Sequence, residues 1–406
     1  MNVELVTRRE DLAELSQRWD ELAQQDPRDG FFRTSAWYRS WVEHVRPDVQ
    51  PFVIVVRDGA GEVVGLAPLC RLNYRDRWLP MKGVSLAGRE VVSGDFLDYL
   101  SDAGARSEVL PAILNFLWQE RSQWALLIVG EVTEDGDLHR AVESFAEAKG
   151  LALRRQEERV CPYIELPATY DQYLRGLSQK MRYEIRRDTR DVLEKWRARI
   201  EVCTEPGQVR DNLNLLIQLH TSHWKSVRKS GNMGRPGFPA FLRQVCSEPP
   251  PGAALRLYLL KLDEKPVAAL LAFCFRENVL FYQTGWDPDS PIARLSPGMV
   301  LVARSIRDAI EQGYRYYDFL RGDETYKSRL TKSFRKTITL LVARSFSARQ
   351  YLRVNRLKDW VKRTLLRRAV PAASEVAEPV RGSDNSVAVP SGKIDPPRKE
   401  APLTKV

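Results

Sequence analysis

The sequence predicts an α/β fold of the α+β kind, built from two tandem copies of one unit in which a mixed, mostly antiparallel twisted sheet is flanked by helices. Three observations predict it. The chain has 406 residues, more than one hydrophobic core usually supports. Two strand–turn–strand patterns recur far apart in the chain. Each of them is followed by further strand-like segments, a helix-like segment and one more strand.

The first copy is organised around PFVIVVRDGAGEVVGLAPLCRL, residues 51–72. Apolar, β-branched runs flank a turn at Asp58, Gly59 and Gly61, which favours a hairpin. Strand-like segments follow at RWLPMKGVSLAG and DFLDYL, then a helix-like segment over 107–122 and the strand-like WALLIVG. We therefore expect an N-terminal unit at residues 1–165.

The second copy is organised around ALRLYLLKLDEKPVAALLAFCF, residues 254–275, and continues with VLFYQTGWD, a helix-like segment over 297–312 and YRYYDFL. Two helix candidates precede it: TYDQYLRGLSQKMRYEIRRDTRDVLEKW, expected as one long polar helix, and VRDNLNLLIQLHTSHWKSVRKS. We expect the C-terminal, catalytic unit at residues 166–345.

A basic amphipathic helix is predicted over 346–370, since SARQYLRVNRLKDWVKRTLLRR places apolar residues at helical intervals with basic residues between them. Residues 341–370 hold nine Lys or Arg and one acid, so most of the net charge of +10 is local. A nucleic-acid partner is therefore not expected. Peripheral contact with an anionic membrane through 347–368 is one interpretation; a terminal helix packed on the body is the other.

After Ala369 the chain is rich in Pro, Ser and charge, and it has few large apolar residues. Such a segment buries too little surface to offset chain entropy, so we expect a disordered tail at 371–406. The longest apolar run, PVAALLAFCF, is about half of the ~20 residues of a membrane span, and the N-terminal segment lacks a signal-peptide core. Five scattered cysteines indicate neither a disulfide framework nor a zinc site. These features favour the cytoplasm, with possible contact at the inner membrane face.

The start of the helix at 297–312 is the first candidate binding site. Ser296 occupies an N-cap position, Pro297 the first helical position and Gly298 the second, while Gly313 ends the helix. Free backbone N–H groups and the positive end of a helix dipole suit a pyrophosphate. An ordinary capped helix is the alternative.

A longer stretch carries a family resemblance. LSPGMVLVARSIRDAIEQGYRYYDFLRGDETYKSRL, preceded by LDEKPVAALLAF and VLFYQTGWDP, resembles the BioF2-like or CelD-like acetyltransferases of the GNAT superfamily. Members of that family look like two GNAT units in tandem and are similar to the Fem peptidoglycan aminoacyltransferases. SQKMRYEIRRDTRDVLE, LIQLHTSHWKS and FFRTSAWYRSWVEHV also look like family segments, so that the resemblance covers roughly residues 30–335. The glycine-rich phosphate signature is reduced here to Arg294-Leu-Ser-Pro-Gly298.

The resemblance implies a bacterial acyltransferase that moves an acyl group, acetyl above all, from acyl-CoA to an amino group of a sugar or of another cell-envelope or polysaccharide precursor. It places acyl-CoA at Ser296, Pro297 and Gly298. Tyr282 would form an aromatic wall of the cleft, although a core position is equally open to it. No metal is expected, because the HxxH pattern of His220 and His223 lacks a third ligand.

Four residues are candidates for catalysis. An imidazole can accept a proton at neutral pH, so His220 is a candidate base, with packing beside Trp224 as the alternative. Asp318 ends a strand, where open sheets bind ligands; it could orient the amine, pair with Lys327 or act as base, or simply close the strand with a salt bridge. Gly322 allows a turn that exposes Asp323 and Glu324. Tyr326 and Lys327 complete the catalytic set, and the substrate-binding candidates are Arg182, Trp224, Trp286, Arg321 and Glu324.

Two alternatives to acyl transfer from coenzyme A stay open. One is a Fem-type enzyme that uses aminoacyl-tRNA, although the helical arm of many Fem proteins has no clear counterpart in this sequence. The other is a non-catalytic GNAT-fold scaffold that docks to a membrane through its basic C-terminal helix.

Overall fold

The computed structural model describes residues 1–26, 30–76, 79–226, 231–322 and 324–368, and it describes their side chains except at 75, 76, 79, 157, 158 and 359–368. The predicted tail at 371–406, and Asp323 in the predicted substrate loop, lie outside the described residues.

Thirteen strands of the described ranges belong to one sheet. They are β1 (Asn2–Val6), β2 (Gln50–Arg57), β3 (Val63–Asp76), β4 (Leu79–Leu86), β5 (Leu100–Ser101), β6 (Leu126–Thr133), β7 (Ala152–Glu165), β8 (Arg199–Cys203), β9 (Ala253–Leu262), β10 (Lys265–Phe275), β11 (Asn278–Trp286), β12 (Tyr316–Asp318) and β13 (Phe334–Ala343). Their order is β1-β2-β3-β4-β6-β13-β7-β12-β11-β10-β9-β8, and β5 pairs with β3. Neighbours are antiparallel except β4 with β6 and β11 with β12. The predicted mixed, mostly antiparallel sheet is confirmed.

Helices flank this sheet. They are α1 (Leu12–Gln25), α2 (Ser35–Ser40), α3 (Arg106–Gln119), α4 (Asp137–Ala148), α5 (Tyr170–Gly176), α6 (Gln179–Arg190), α7 (Pro206–Ser226), α8 (Phe238–Ser247), α9 (Pro297–Glu311), α10 (Thr325–Leu330) and α11 (Phe346–Arg368). Among these helices none combines the length and the apolar character that crossing a membrane requires.

The arrangement of strands repeats once along the chain. In the first half, the antiparallel strands β2, β3 and β4 are followed by α3 and then by β6, which lies parallel to β4. In the second half, β9, β10 and β11 are followed by α9 and then by β12, which lies parallel to β11. The prediction of two tandem units of one design is confirmed.

Two local predictions are wrong. The expected single helix over 169–196 is broken into α5 and α6, because the Ser178 side chain caps α6 by accepting a hydrogen bond from the Met181 backbone N–H at 3.2 Å. In the segment 95–100, expected as a strand, only Leu100 belongs to one, and the positive φ of 54° at Phe96 interrupts the extended backbone before it.

The last strand, β13, joins the two halves of the sheet. It follows the other strands of the second half in sequence, but it lies between β6 and β7, with Thr337 opposite both Thr133 and Arg159. On its other side β7 pairs with β12, where Tyr163 lies opposite Asp318. The sheet thus continues across residue 165, and the boundaries at 165 and 345 remain predictions.

Strand β11 lies between helices on both faces of the sheet. On one face α7 buries Leu213 and Leu216 in the larger core; on the other, Leu301 of α9 and Met181 of α6 belong to a second core. Both α7 and α9 contact β11. The end of β11 is therefore the place at which residues of these two helices can meet.

Candidate functional site

The two parallel strands of the second unit separate soon after they pair. Their register ends at Leu280 opposite Asp318, where β12 stops, while β11 continues to Trp286. A register shift between Leu271 and Ala272 marks a bulge against β10, and bulges bend and twist a strand. β11 therefore continues past the end of its pairing with β12, which leaves an opening in the sheet beside the residues that follow each strand.

Helix α9 begins at this opening. Ser296 occupies the predicted N-cap position, but its φ of 50° is left-handed and its side chain makes no capping hydrogen bond. Pro297 takes the first helical position, and the first turn carries no acidic residue. The positive end of the helix dipole is therefore not offset by the helix's own side chains.

Aromatic rings lie beside the start of α9. A Cβ atom at Gly298 would come within 3.2 Å of Cε3 of Trp286. The Trp286 ring contacts His223 of α7, with ring centroids 3.5 Å apart, and His223 in turn lies 5.9 Å from Trp224. The structure thus brings the predicted residues Trp286 and Trp224 to the predicted cofactor residue Gly298.

His220 is buried one turn earlier on α7. Its backbone packs on the sheet at Gly285, where an added Cβ atom would meet the His220 backbone nitrogen at 2.2 Å, and the residue is 3% exposed. Burial lowers the pKa of His220 to about 4, and the neighbouring His223 contributes in the same direction. The imidazole is therefore neutral at pH 7.

Asp318 and His220 are not brought together. Asp318 is level with Leu280, whereas His220 is level with Gly285, five residues further along β11 and roughly 17 Å away along an extended strand. The two predicted catalytic groups therefore do not face one reacting atom.

Asp318 closes the strand with an ion pair. It is 1% exposed; its Oδ1 accepts a hydrogen bond from the Leu320 backbone N–H at 2.7 Å, and its Oδ2 accepts one from Arg335 Nη1 at 2.8 Å. The Arg335 guanidinium lies over the Tyr163 ring, 4.1 Å from its centroid. Of the alternatives left open for Asp318, the structure shows the salt bridge that closes the strand, with Arg335 of β13 rather than Lys327 as the partner.

Lys327 pairs with Glu324 instead. Its Nζ lies 2.9 Å from Glu324 Oε2 and donates a hydrogen bond to the Arg321 carbonyl at 3.0 Å. The predicted turn at Gly322 has a φ of 136°, and a Cβ atom there would meet Glu324 Oε2 at 2.1 Å. Lys327 is 3% exposed, while the side chain of Glu324 is 47% exposed. Of this pair, the carboxylate is the partner that solvent and ligands can reach.

Tyr326 lies in the same short helix, α10, and packs against the second core. Burial raises the pKa of its hydroxyl well above 10, and Glu324 raises it further. At neutral pH this hydroxyl is therefore protonated and can donate a hydrogen bond, but it is a weak acid.

Arg321 lies in a buried ionic cluster that the sequence did not predict. Its Nε donates to Asp95 Oδ1 at 2.5 Å and its Nη1 to Glu131 Oε1 at 3.0 Å. Burial acts against the charged form of Glu131, but Arg321, Arg89 and Arg159 together outweigh it and lower the pKa of that carboxyl. Arg321 thus connects the two halves of the protein, and its predicted contact with substrate remains a prediction.

The two remaining predicted residues are Tyr282 and Arg182. Tyr282 is 6% exposed, donates a hydrogen bond to the Val92 carbonyl at 2.8 Å and packs 5.0 Å from the Phe273 ring. The structure places it in the core, which the sequence had left open as its alternative. Arg182 is half-buried on α6. In the described parts of the chain, no three His, Cys, Asp or Glu side chains are grouped to hold a metal ion.

Comparison with known proteins supports a GNAT-type enzyme. Residues 179–328 match the family model described as an acetyltransferase (GNAT) domain. That range contains α9, the opening and the first residues of α10, so the second unit carries a GNAT domain of the N-acyltransferase type. No curated protein matches the sequence of this chain.

Solved structures share the fold at low sequence identity. FemX aligns with a TM-score of 0.58 and 12% identity over 83% of this chain and 97% of its own. The C-terminal domain of a putative lysylphosphatidylglycerol synthetase from Agrobacterium fabrum aligns with a TM-score of 0.51 and 13% identity over 84% and 95%. The resemblance to GNAT and Fem-like proteins is thus confirmed.

Proposed function

We propose that this protein moves an acyl group such as acetyl from acyl-CoA to an amino group of a sugar or of another cell-envelope or polysaccharide precursor. The observation that carries the proposal is the separation of β11 from β12 with α9 beginning beside it. Acyl-CoA held in that opening would have its diphosphate at the start of α9 and its acyl end toward the polar turn after β12.

The residues at the start of α9 fit the diphosphate of acyl-CoA. Gly298 presents no side chain, Ser296 is exposed, and the first turn lacks a carboxylate that would repel an anion. Arg294 is also exposed just before the helix. Acyl-CoA, when bound, supplies the thioester carbon that the amine attacks.

The turn and helix after β12 would handle the protons. As the nitrogen–carbon bond forms the amine releases a proton, and as the carbon–sulfur bond breaks the thiolate takes one up. Glu324 is accessible and can orient the amine and accept its proton. The protonated hydroxyl of Tyr326 can donate a hydrogen bond that stabilises the thiolate, which then takes up its proton from solvent. His220, with a pKa of about 4, would be a weak base. Asp318 would position this turn through its bond to the Leu320 N–H.

Thermal unfolding with acetyl-CoA tests the proposal. We expect acetyl-CoA to raise the melting temperature of the wild type and of the control Gly104→Val, since an added Cβ atom at Gly104 meets nothing within 4 Å. Gly298→Val should lose this response. Release of free thiol with a panel of amino sugars then identifies the acceptor. Equal stabilisation of all three proteins would contradict the proposed cofactor site.

A second candidate function is aminoacyl transfer from aminoacyl-tRNA. The extent of the fold shared with FemX favours it, although at 12% identity that likeness concerns the fold alone. Activity that is abolished by ribonuclease, together with no response to acetyl-CoA, would identify this function. A chain that shows neither activity would act as a non-catalytic scaffold.

We also propose that α11 contacts an anionic membrane, which would place the protein at the inner face of the cytoplasmic membrane. One side of the helix packs on the body through buried residues such as Tyr351 and Leu352. The other side exposes Phe346 (77%), Val354 (47%) and Leu357 (60%). Exposed apolar side chains on a helix rich in arginine are typical of helices that lie in a membrane interface.

Cosedimentation with vesicles of phosphatidylglycerol and phosphatidylcholine tests this contact. The double variant Phe346→Ser/Leu357→Ser should bind roughly tenfold more weakly or worse, since each lost apolar group costs affinity. Tyr183→Ser is the matched control, because Tyr183 is 62% exposed but lies on α6. Unchanged binding of the double variant, or no binding of the wild type, would contradict the proposal.

A further inference from the structure

A separate cavity lies at the outer edge of the first unit. It has a volume of about 720 Å³ and is lined by the start of the chain, by the loop that precedes β2, by Arg71 of β3 and by Gln123 after α3. Clefts of this size hold small organic molecules. In the order of the sheet, β3 is five positions from β12, or roughly 24 Å at about 4.8 Å for each strand. The cavity is therefore distinct from the proposed acyl-transfer site.

The charged groups that line this cavity favour an anion. They are the guanidinium groups of Arg9 and Arg71 and the carboxylate of Asp48. Both oxygens of that carboxylate accept hydrogen bonds from Arg46, at 2.8 and 2.9 Å. Arg46, which also pairs with Glu90, therefore offsets part of the charge of Asp48, and the two lining arginines still leave an excess of positive charge around the cavity.

Arg71 is fixed in place but not fully hydrogen-bonded. Its guanidinium lies 5.3 Å from the Phe52 ring centroid, and its Nη2 donates to Gln123 Oε1. Its Nε is buried and has no hydrogen-bond acceptor in the described part of the protein. A buried donor without an acceptor is costly. Because this Nε has almost no exposed surface, an oxyanion in the cavity would reach the guanidinium through its Nη atoms, with a charge-assisted bond.

Arg9 shapes the other side of the cavity. It donates to the Pro47 carbonyl at 2.8 Å and to the Val49 carbonyl at 3.3 Å, and so fastens the start of the chain to the loop before β2. The polar side chains of Thr7 and Gln50 complete this wall. The lining thus combines two fixed cations with neutral hydrogen-bonding groups, which is the composition that an organic anion requires.

We infer that this cavity is a second binding site, which takes a small molecule that carries a phosphate or carboxylate group and holds that group at Arg71. Arg71 provides one charge and guanidinium N–H donors, and Arg9 provides a second charge. The inference does not depend on the acyl-transfer proposal, since none of these residues belongs to the second unit.

Nuclear magnetic resonance of arginine side chains tests the inference directly. Inorganic phosphate and citrate are titrated separately into labelled full-length protein, with sodium chloride keeping the ionic strength constant. The Nε–H signal of Arg71 is identified by its loss in Arg71→Lys. We expect at least one of the two anions to shift this signal until the shift saturates, and to raise the melting temperature of the protein. A response to phosphate would indicate a phosphate ligand, and a response to citrate would indicate a carboxylate ligand.

Two variants and a control complete the test. Arg71→Gln should weaken binding at least tenfold, as for the loss of one charge-assisted hydrogen bond. Arg140→Gln, at an exposed position of α4, should bind as the wild type does. If Arg71→Gln fails to fold, Arg9→Gln provides the same comparison. No saturable change with either anion, or binding by Arg71→Gln as tight as by the wild type, would overturn the inference.

Discussion

Replacing Arg321 with glutamine separates a structural role from a substrate-binding role. In the wild type the guanidinium bonds to Asp95 and Glu131, which lie in the first half of the protein. Glutamine has no charge and a shorter side chain, so both carboxylates would stay buried without a full partner. Arg307→Gln is the control, because Arg307 and Glu311 form an ion pair on α9 that is more than half exposed.

The expected loss of stability is large. Breaking a buried ion pair costs about 3–5 kcal/mol, because the remaining charge is left without a partner. Solvent screens this cluster little, since the Arg321 side chain is 17% exposed and those of Asp95 and Glu131 are 0% and 6% exposed. We therefore expect a loss of about 4 kcal/mol, or roughly 8 °C in melting temperature. The exposed pair of Arg307 should contribute about 0.5 kcal/mol or less.

Stability should also depend differently on pH. The pKa of Glu131 is lowered in the folded wild type, so its contribution is present above the ordinary carboxyl pKa of 4.5 and is lost as the pH falls through the lowered value. In the variant the unpaired carboxylates can take up protons nearer to neutral pH. The difference between Arg321→Gln and the wild type should therefore shrink as the pH falls from 7 to 5.

Urea denaturation at several pH values, combined with acyl-transfer kinetics, decides between the two roles. A loss of unfolding free energy with little change in the KM of the acceptor would support the structural role. A variant that melts within about 2 °C of the wild type, but has a greatly raised KM, would refute this reasoning and restore the predicted contact with substrate.

Three further predictions concern the second unit. Gly322→Ala should lower the unfolding free energy by roughly 1–3 kcal/mol in urea denaturation, because φ is 136° there and an added Cβ atom would overlap Glu324; wild-type stability would argue against that geometry. The wild type should lose up to roughly 3 kcal/mol between pH 6.5 and 4, since His220 is buried with a pKa of about 4 and takes up a proton more readily when unfolded. His220→Gln should lack this loss in denaturation curves, and an unchanged pH dependence would contradict the assignment. Asp318→Asn and Lys327→Met should each reduce kcat about a hundredfold or more while circular dichroism shows a folded protein, and wild-type rates would remove both residues from the site.

Local sequence signals were enough to predict most of the second unit. The hairpin at 254–275 follows from two apolar runs around a polar turn, and the Asp263–Glu264 turn that joins its strands has positive φ angles of 48° and 60°. Pro297 and Gly313 delimit α9 because each acts within a few residues of its own position. Such features depend on neighbours in sequence, so a single sequence can reveal them.

Partners that are distant in sequence could not be predicted in this way. A salt bridge at Asp318 was one of the alternatives, but the sequence suggested only Lys327, nine residues away, as a partner, whereas Asp318 pairs with Arg335 because β13 returns to the sheet. Arg321 and Asp95 are 226 residues apart, and each is an ordinary charged residue in its own segment. One signal was available: the Asp95 segment breaks the strand pattern with two charges in an otherwise apolar run. These two charges indicate that the segment is not an ordinary strand, but they do not identify Arg321 as the partner of Asp95.

The position of β13 has a consequence for synthesis of the protein. While residues 334–343 are still inside the ribosome, β6 and β7 have no strand between them, and each presents an open edge of backbone N–H and C=O groups. A nascent chain in that state can associate with other chains or wait for a chaperone, and its sheet closes only when almost the whole described chain has emerged. Translation must therefore pass residue 343 before the sheet of the first unit is complete.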